Sequence, residues 1–160
     1  MQAERAKKEA QTLGRSSGGF CTKLHLFLDN QERLLGIELS GDQESDHKYA
    51  SALVFEAIEH KSRSIVDDKG YDSLALRKMI GEAGMKCVIP YRKWKDLQRP
   101  EMDKTAYKLR NVIERFIGKI KENRRVATRY DKKASHFKAF IILAALNNMA
   151  KCYLLAETSQ

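Results

Sequence analysis

Four side chains between positions 107 and 121 are of types that do chemistry: Tyr107, Arg110, Glu114 and Lys121. At 100° per residue they stand at about 0°, 300°, 340° and 320° on a helical wheel, a single narrow stripe. Ile113, Phe116, Ile117 and Ile120 gather at about 180–280° on the same wheel, giving the helix an apolar face to pack and a charged edge beside it. Ordinary amphipathicity with an i,i+4 Arg110–Glu114 ion pair explains the pattern equally well at this point. More carboxylates gather upstream, where the apolar-cored run 63–67 reads as a buried strand ending in Asp67, Asp68 and Asp72. Thiol and imidazole centres are excluded. Cys21, Cys87 and Cys152 show no C-x-x-C pairing, and His25, His47, His60 and His136 are as scattered, so no zinc or redox site can be drawn from them. The cysteines are expected to be buried free thiols.

The elements that must position these residues follow from periodicity. Residues 1–13 read as a polar helical segment, and Gly14–Gly19 as a loop. Leu24, Leu26 and Leu28 alternate with polar residues in a strand over 22–28, and 34–39 reads as its hairpin partner. A helix N-capped by Asp46 carries Ala50, Leu53, Val54, Ala57 and Ile58 at helical spacing. The strand at 63–67, a helix over 73–83 stopped by Gly84, and a strand at 86–89 ended by Pro90 make a βαβ unit with parallel pairing. A basic loop over 91–104 leads to one long helix over 105–127, a turn near Asp131, and an apolar helix over 135–155. Lys138, Asn147, Asn148 and Lys151 interrupt that last helix, so it reads as buried and not as a bilayer span. With no signal-peptide pattern at its start, the chain is expected to be cytoplasmic, near the nucleoid.

The formal charge of +9 is unevenly spread. Residues 29–85 hold 7 basic and 12 acidic side chains, and residues 86–138 hold 17 basic and 6 acidic. The second segment attracts polyanions, because phosphate contacts release counterions condensed on nucleic acid. A solvated lysine-rich helical surface has the same composition.

The spacing Y-x2-R-x3-E-x6-K from Tyr107 to Lys121 closely resembles the signature helix of DDE transposases encoded by bacterial insertion sequences. Gly14–Phe20 with Thr22–His25 is similar to the G-R-S-x-G-G-x-x-T-K-x-H segment of the group named for insertion sequence five. Asp68–Asp72 resembles its D-K-G-Y-D, and Arg124–Lys132 its R-R-I-A-T-R-Y-D-K. The resemblance runs from about residue 11 to residue 155. It implies an α/β, ribonuclease H-like fold over 14–155, followed by a tail at 156–160. It also implies DNA cleavage and strand transfer supported by Mg2+ or Mn2+, with Asp68 as the second acid of the triad and Glu114 as the third. Both would be metal ligands, since phosphoryl transfer of this kind needs hard cations bridged by carboxylates. Tyr107, Arg110 and Lys121 become a supporting layer, with Arg110 on a phosphate or on Glu114. Asp67 departs from the family, which has a small apolar residue there.

Double-stranded DNA, as transposon ends and target, is the implied partner, and a homodimer is expected from the family alone. Lys119, Lys121, Arg124, Arg125, Arg129, Lys132 and Lys133 are candidate phosphate contacts, with Arg92, Lys93 and Lys95 as a second patch and Trp94 as a base-stacking residue. The family's first acid lies on a central strand ahead of the Gly14–Gly19 loop, where this sequence offers only Glu4 and Glu9 on a helix-like stretch. The expectation is therefore a truncated fold whose sheet lacks its joining strand. Such a chain would be inactive alone, and would be a frameshift product, a relic, or the partner of a separately made N-terminal part. A non-catalytic DNA-binding fragment that inhibits transposition is the alternative, and a self-sufficient nuclease using Asp29 or Asp46 as third acid is a weaker one.

Overall fold

Alternating leucines give the longest strand pairing. In the computed structural model, which describes residues 14–16, 19–41, 44, 46–92 and 101–157, β2 (Gly19–Leu28) pairs antiparallel with β3 (Leu34–Gly41). Leu24 lies opposite Leu39, and Leu26 opposite Ile37. The turn between them is tied by Asp29, whose Oδ1 accepts the Gln31 and Arg33 amides at 2.9 Å each and whose Oδ2 accepts Arg33 Nε at 2.5 Å. The segment expected to be a loop is itself paired. β1 (Gly14–Ser16) runs antiparallel to the start of β2, from Gly14 opposite Cys21 to Ser16 opposite Gly19. A glycine-rich stretch has no side-chain period to betray a strand, and here the backbone ladder alone makes one.

By internal packing the chain divides into two units. One holds the described residues up to 41 and those from Ile113 onward, and the other is Glu44–Val112. The first unit sets the hairpin with α4 (Asn111–Ile120), α5 (Arg124–Ala127) and α6 (Ala134–Glu157). Its core joins Leu26 and Leu39 to Phe116, Ile120, Val126, Phe137 and Ile141.

The second unit is the expected βαβ arrangement preceded by α1 (His47–Glu59). β4 (Ser64–Val66) and β5 (Lys86–Val88) pair in parallel around α2 (Leu74–Glu82), with Ile65 opposite Cys87. Ser73 caps α2 by accepting the Leu76 amide at 3.2 Å. Gly84 ends the turn after it at φ +70°, where a Cβ would meet no atom but the backbone conformation itself favours glycine. Among the described residues the strands form two sheets, β1-β2-β3 and β4-β5.

The long helix expected over 105–127 is instead segmented. α3 (Lys104–Tyr107) is N-capped by Asp103, a 3-10 turn follows at Lys108–Arg110, α4 stops at Ile120, and Asn123 opens α5 with extended backbone. Each residue of 3-10 winding advances about 120° instead of 100°, which turns Arg110 and Glu114 by about 60° relative to Tyr107 and still leaves the three within about 40° of one another. Asn123 donates its side-chain amide to the Ile120 carbonyl at 3.2 Å, a local alternative to helical bonding. The cysteines also differ from expectation: Cys87 is half-buried and Cys152 exposed. The polar segment 1–13 lies outside the described residues. α6 extends to Glu157, past the expected start of the tail. Among the described residues no helix is long and apolar enough to cross a membrane.

Candidate active site

The acids at the end of β4 are arranged by backbone hydrogen bonds. Asp68 caps the 3-10 turn Lys69–Tyr71, its Oδ1 accepting the Gly70 amide at 2.5 Å, while its own amide donates to Asp67 Oδ1 at 2.8 Å. A Cβ on Gly70 would stand 2.6 Å from that same Oδ1, so a side chain there would displace the Asp68 carboxylate. Asp68 Oδ2 makes no hydrogen bond among the described residues. The Gly70 position also lies 3.6 Å from Asp46 Oδ2, bringing in an acid from the start of α1.

This crowding shows in Asp67, whose carboxyl is pushed up to about 7, first by burial and further by the charges of Asp68 and Asp46. The Asp68 amide and Arg110 act in the opposite direction. Burial and the same three aspartates push the Tyr71 phenol up.

Asp72, the last acid of the motif, is put to another use. It is 7% exposed and accepts Arg77 Nε at 2.7 Å and the Arg92 amide at 2.6 Å. Burial alone would raise its carboxyl, but the Arg92 amide and the Arg77 guanidinium outweigh that and hold it below the usual range. Arg77 also donates to the Ile89 carbonyl at 2.6 Å and stacks 3.7 Å from the Tyr91 ring centroid. Arg92 straps the turn from outside, donating to the carbonyls of Lys69 at 3.0 Å and Gly70 at 2.7 Å.

Glu114 stands exposed in the first turn of α4, which continues directly from the 3-10 turn. It belongs to the first unit and Asp68 to the second. Tyr107 in α3 and Arg110 in the 3-10 turn are half-buried, and Lys121 is exposed just beyond α4. Among the described residues no three acids, histidines or cysteines are grouped so as to hold a metal ion.

Of the basic candidates, several are engaged inside the protein. Arg92 holds the turn as above. Lys119 donates to Glu32 Oε2 at 2.6 Å, with Arg115 on Oε1 at 2.9 Å. Arg129 is half-buried, bonded to the Asp131 and Lys132 carbonyls and to Thr22, and lies 5.1 Å from the Phe137 ring. Arg125 stacks 4.5 Å from the Phe140 ring. Lys121, Arg124 and Lys132 are exposed, without an ion pair among the described residues. Lys93, Trp94 and Lys95 lie outside the described residues. Sequence reasoning missed Arg77 and treated Arg92 only as a surface charge. An arginine four residues into a helix that follows a motif acid was the available signal.

The family described as "Transposase DDE domain" matches residues 2–149 of the chain. A Brucella ovis protein, by its name a transposase for insertion sequence element IS6501, is 32% identical over 130 residues, covering 77% of this chain and 93% of that protein. No solved structure matches the chain at a significant level.

Proposed function

Because the chain belongs to the transposase DDE domain family, we propose that it supplies Asp68 and Glu114 as the second and third acids of a DNA-cleaving, strand-transferring centre of the insertion-sequence-five group. The observation that carries this reading is the Asp68 turn: a half-buried carboxylate fixed by one oxygen and open at the other, at the end of a parallel strand. A hard oxygen donor of this kind suits Mg2+ or Mn2+. Bound there, such ions supply the positive charge that activates an attacking oxygen and neutralises a leaving one.

The chain's own residues do the rest in this reading. Arg92 and Asp72 hold the turn that carries Asp68, and the charge of Arg110 acts on the neighbouring Asp67. Tyr107 is given a packing role in this reading. Lys121, Arg124 and Lys132 meet the phosphates of double-stranded DNA. The mixed α/β architecture is compatible with a ribonuclease H-like domain. In this reading the 160-residue chain by itself is expected to bind DNA without transferring strands.

The test is strand transfer from labelled insertion ends with Mg2+, alongside binding in a salt series. Binding is expected to fall with salt for every sequence tried. Neutralising Lys121, Arg124 and Lys132 together should flatten the log–log slope by about 0.9 per lost phosphate contact. Strand transfer by the 160-residue chain alone would overturn the two-acid assignment. Asp46 beside Gly70 favours a second reading, a self-sufficient nuclease. Plasmid nicking by the chain that is lost in both Glu114→Ala and Asp46→Asn would establish it. Asp29 is unsuited to the role, since both its oxygens serve the hairpin turn.

A further inference from the structure

The 24-residue helix α6 buries one face and leaves the other bare. Ala134, Phe137, Ile141, Ala144 and Ala145 turn into the core of the first unit. On the opposite side Ile142, Leu143, Leu146 and Tyr153 are 40%, 58%, 55% and 64% exposed. Ala139, Leu143, Leu146, Ala150 and Tyr153 recur at intervals of four, three, four and three, the seam spacing of helices that pair along their length. Lys151, at the edge of the seam, is the one charged residue between 139 and 154.

We propose that this seam is the interface with a second copy of the chain, α6 against α6, antiparallel about a two-fold axis near residue 148. Four large apolar side chains at these exposures, with the two alanines, leave roughly 500 Å² of apolar surface, near the upper end of what a soluble monomer carries. Shared across a two-fold axis that becomes roughly 1,000 Å² buried, the size at which a specific interface begins. The sequence of the seam selects the direction. An antiparallel pair centred on 148 sets Leu146 opposite Ala150, large against small, and Leu143 opposite Tyr153. A parallel pair would face Ala150 with Ala150, leaving a gap, and bring the two Lys151 side chains level. Antiparallel helices also align their dipoles favourably. The surface is self-complementary, as a two-fold contact requires. This inference does not depend on the DNA chemistry proposed above.

Sedimentation equilibrium of the 160-residue chain is the test. A dimer is expected at about 100 µM, where a micromolar Kd is saturated. Leu146→Glu and, separately, Leu143→Lys should each give a monomer with unchanged circular dichroism, since both positions face solvent in the single chain. In a Cys152→Ser background, Leu146→Cys should cross-link to Ala150→Cys in preference to itself. A wild-type chain that stays monomeric at that concentration overturns the pairing and leaves the seam to another polypeptide. A dimer that survives both charge substitutions overturns it too, and self-cross-linking of Leu146→Cys overturns the antiparallel register.

Discussion

The turn after β4 and the helix carrying Glu114 hold an acid in place by opposite means. At the turn, Asp68 is positioned by polar contacts: a backbone amide on its carboxylate, the Arg92 strap outside, and the Asp72–Arg77 pair beneath. Along α4, Glu114 itself is exposed, and its backbone is held by apolar packing through Phe116 and Ile120, 1% and 0% exposed. A strand tip of three residues has too little apolar surface to fix a side chain, so hydrogen bonds must do it. A helix three turns long has a whole face to bury.

That contrast can be broken from either side. Phe116→Ala should cost about 4 kcal/mol, the range for a fully buried aromatic, read as a lower midpoint in urea unfolding. A loss under about 1 kcal/mol would mean that α4 is not held by its apolar face. Asp72→Ala leaves the Arg77 guanidinium, 15% exposed, without its carboxylate and should cost about 3 kcal/mol. Because the Asp72 carboxyl is depressed in the folded protein, its stabilisation is fully present above the unfolded value of 3.8 and is lost as pH falls through the lower folded value. Acid titration of stability should therefore be flatter below pH 3.8 in Asp72→Asn than in the wild type. Equal slopes would detach Asp72 from the fold's acid sensitivity.

Two smaller effects sharpen the comparison. Gly70→Ala forces its methyl against Asp68 Oδ1 and should cost about 2 kcal/mol by overpacking, with backbone shifts seen by NMR confined to residues near 68–72. Glu32→Gln, which weakens contacts with the partly exposed Lys119 and Arg115, should cost no more than about 1 kcal/mol. A larger loss would show that polar contacts matter to α4 as much as to the turn.

Legibility in the sequence followed the same division. The leucine alternation in β2, the βαβ run and the Gly84 stop were readable because their signals are local and periodic. The breaks around α4 were not, since a wheel assumes uniform winding and neither the 3-10 turn at Lys108–Arg110 nor the Asn123 cap disturbs hydrophobic spacing. The motif acid Asp68 could be located, but the approach of Asp46 to Gly70, 24 residues on, depends on where the first turn of α1 comes to rest. Arg92 read as a surface cation because its acceptors are backbone carbonyls 22 and 23 residues earlier, and carbonyls carry no sequence signature.

The hairpin tip carries one more implication. Glu32 adopts φ +61°, a conformation that costs an L-residue about 1 kcal/mol or more, while its carboxylate reaches two cations on α4. The backbone there is kept in an unfavourable well by the Asp29-tied turn and by those cations together. Lifting α4 away would let the tip relax toward ordinary dihedrals, so amide shifts at residues 30–33 act as a built-in gauge of helix seating, readable without a label.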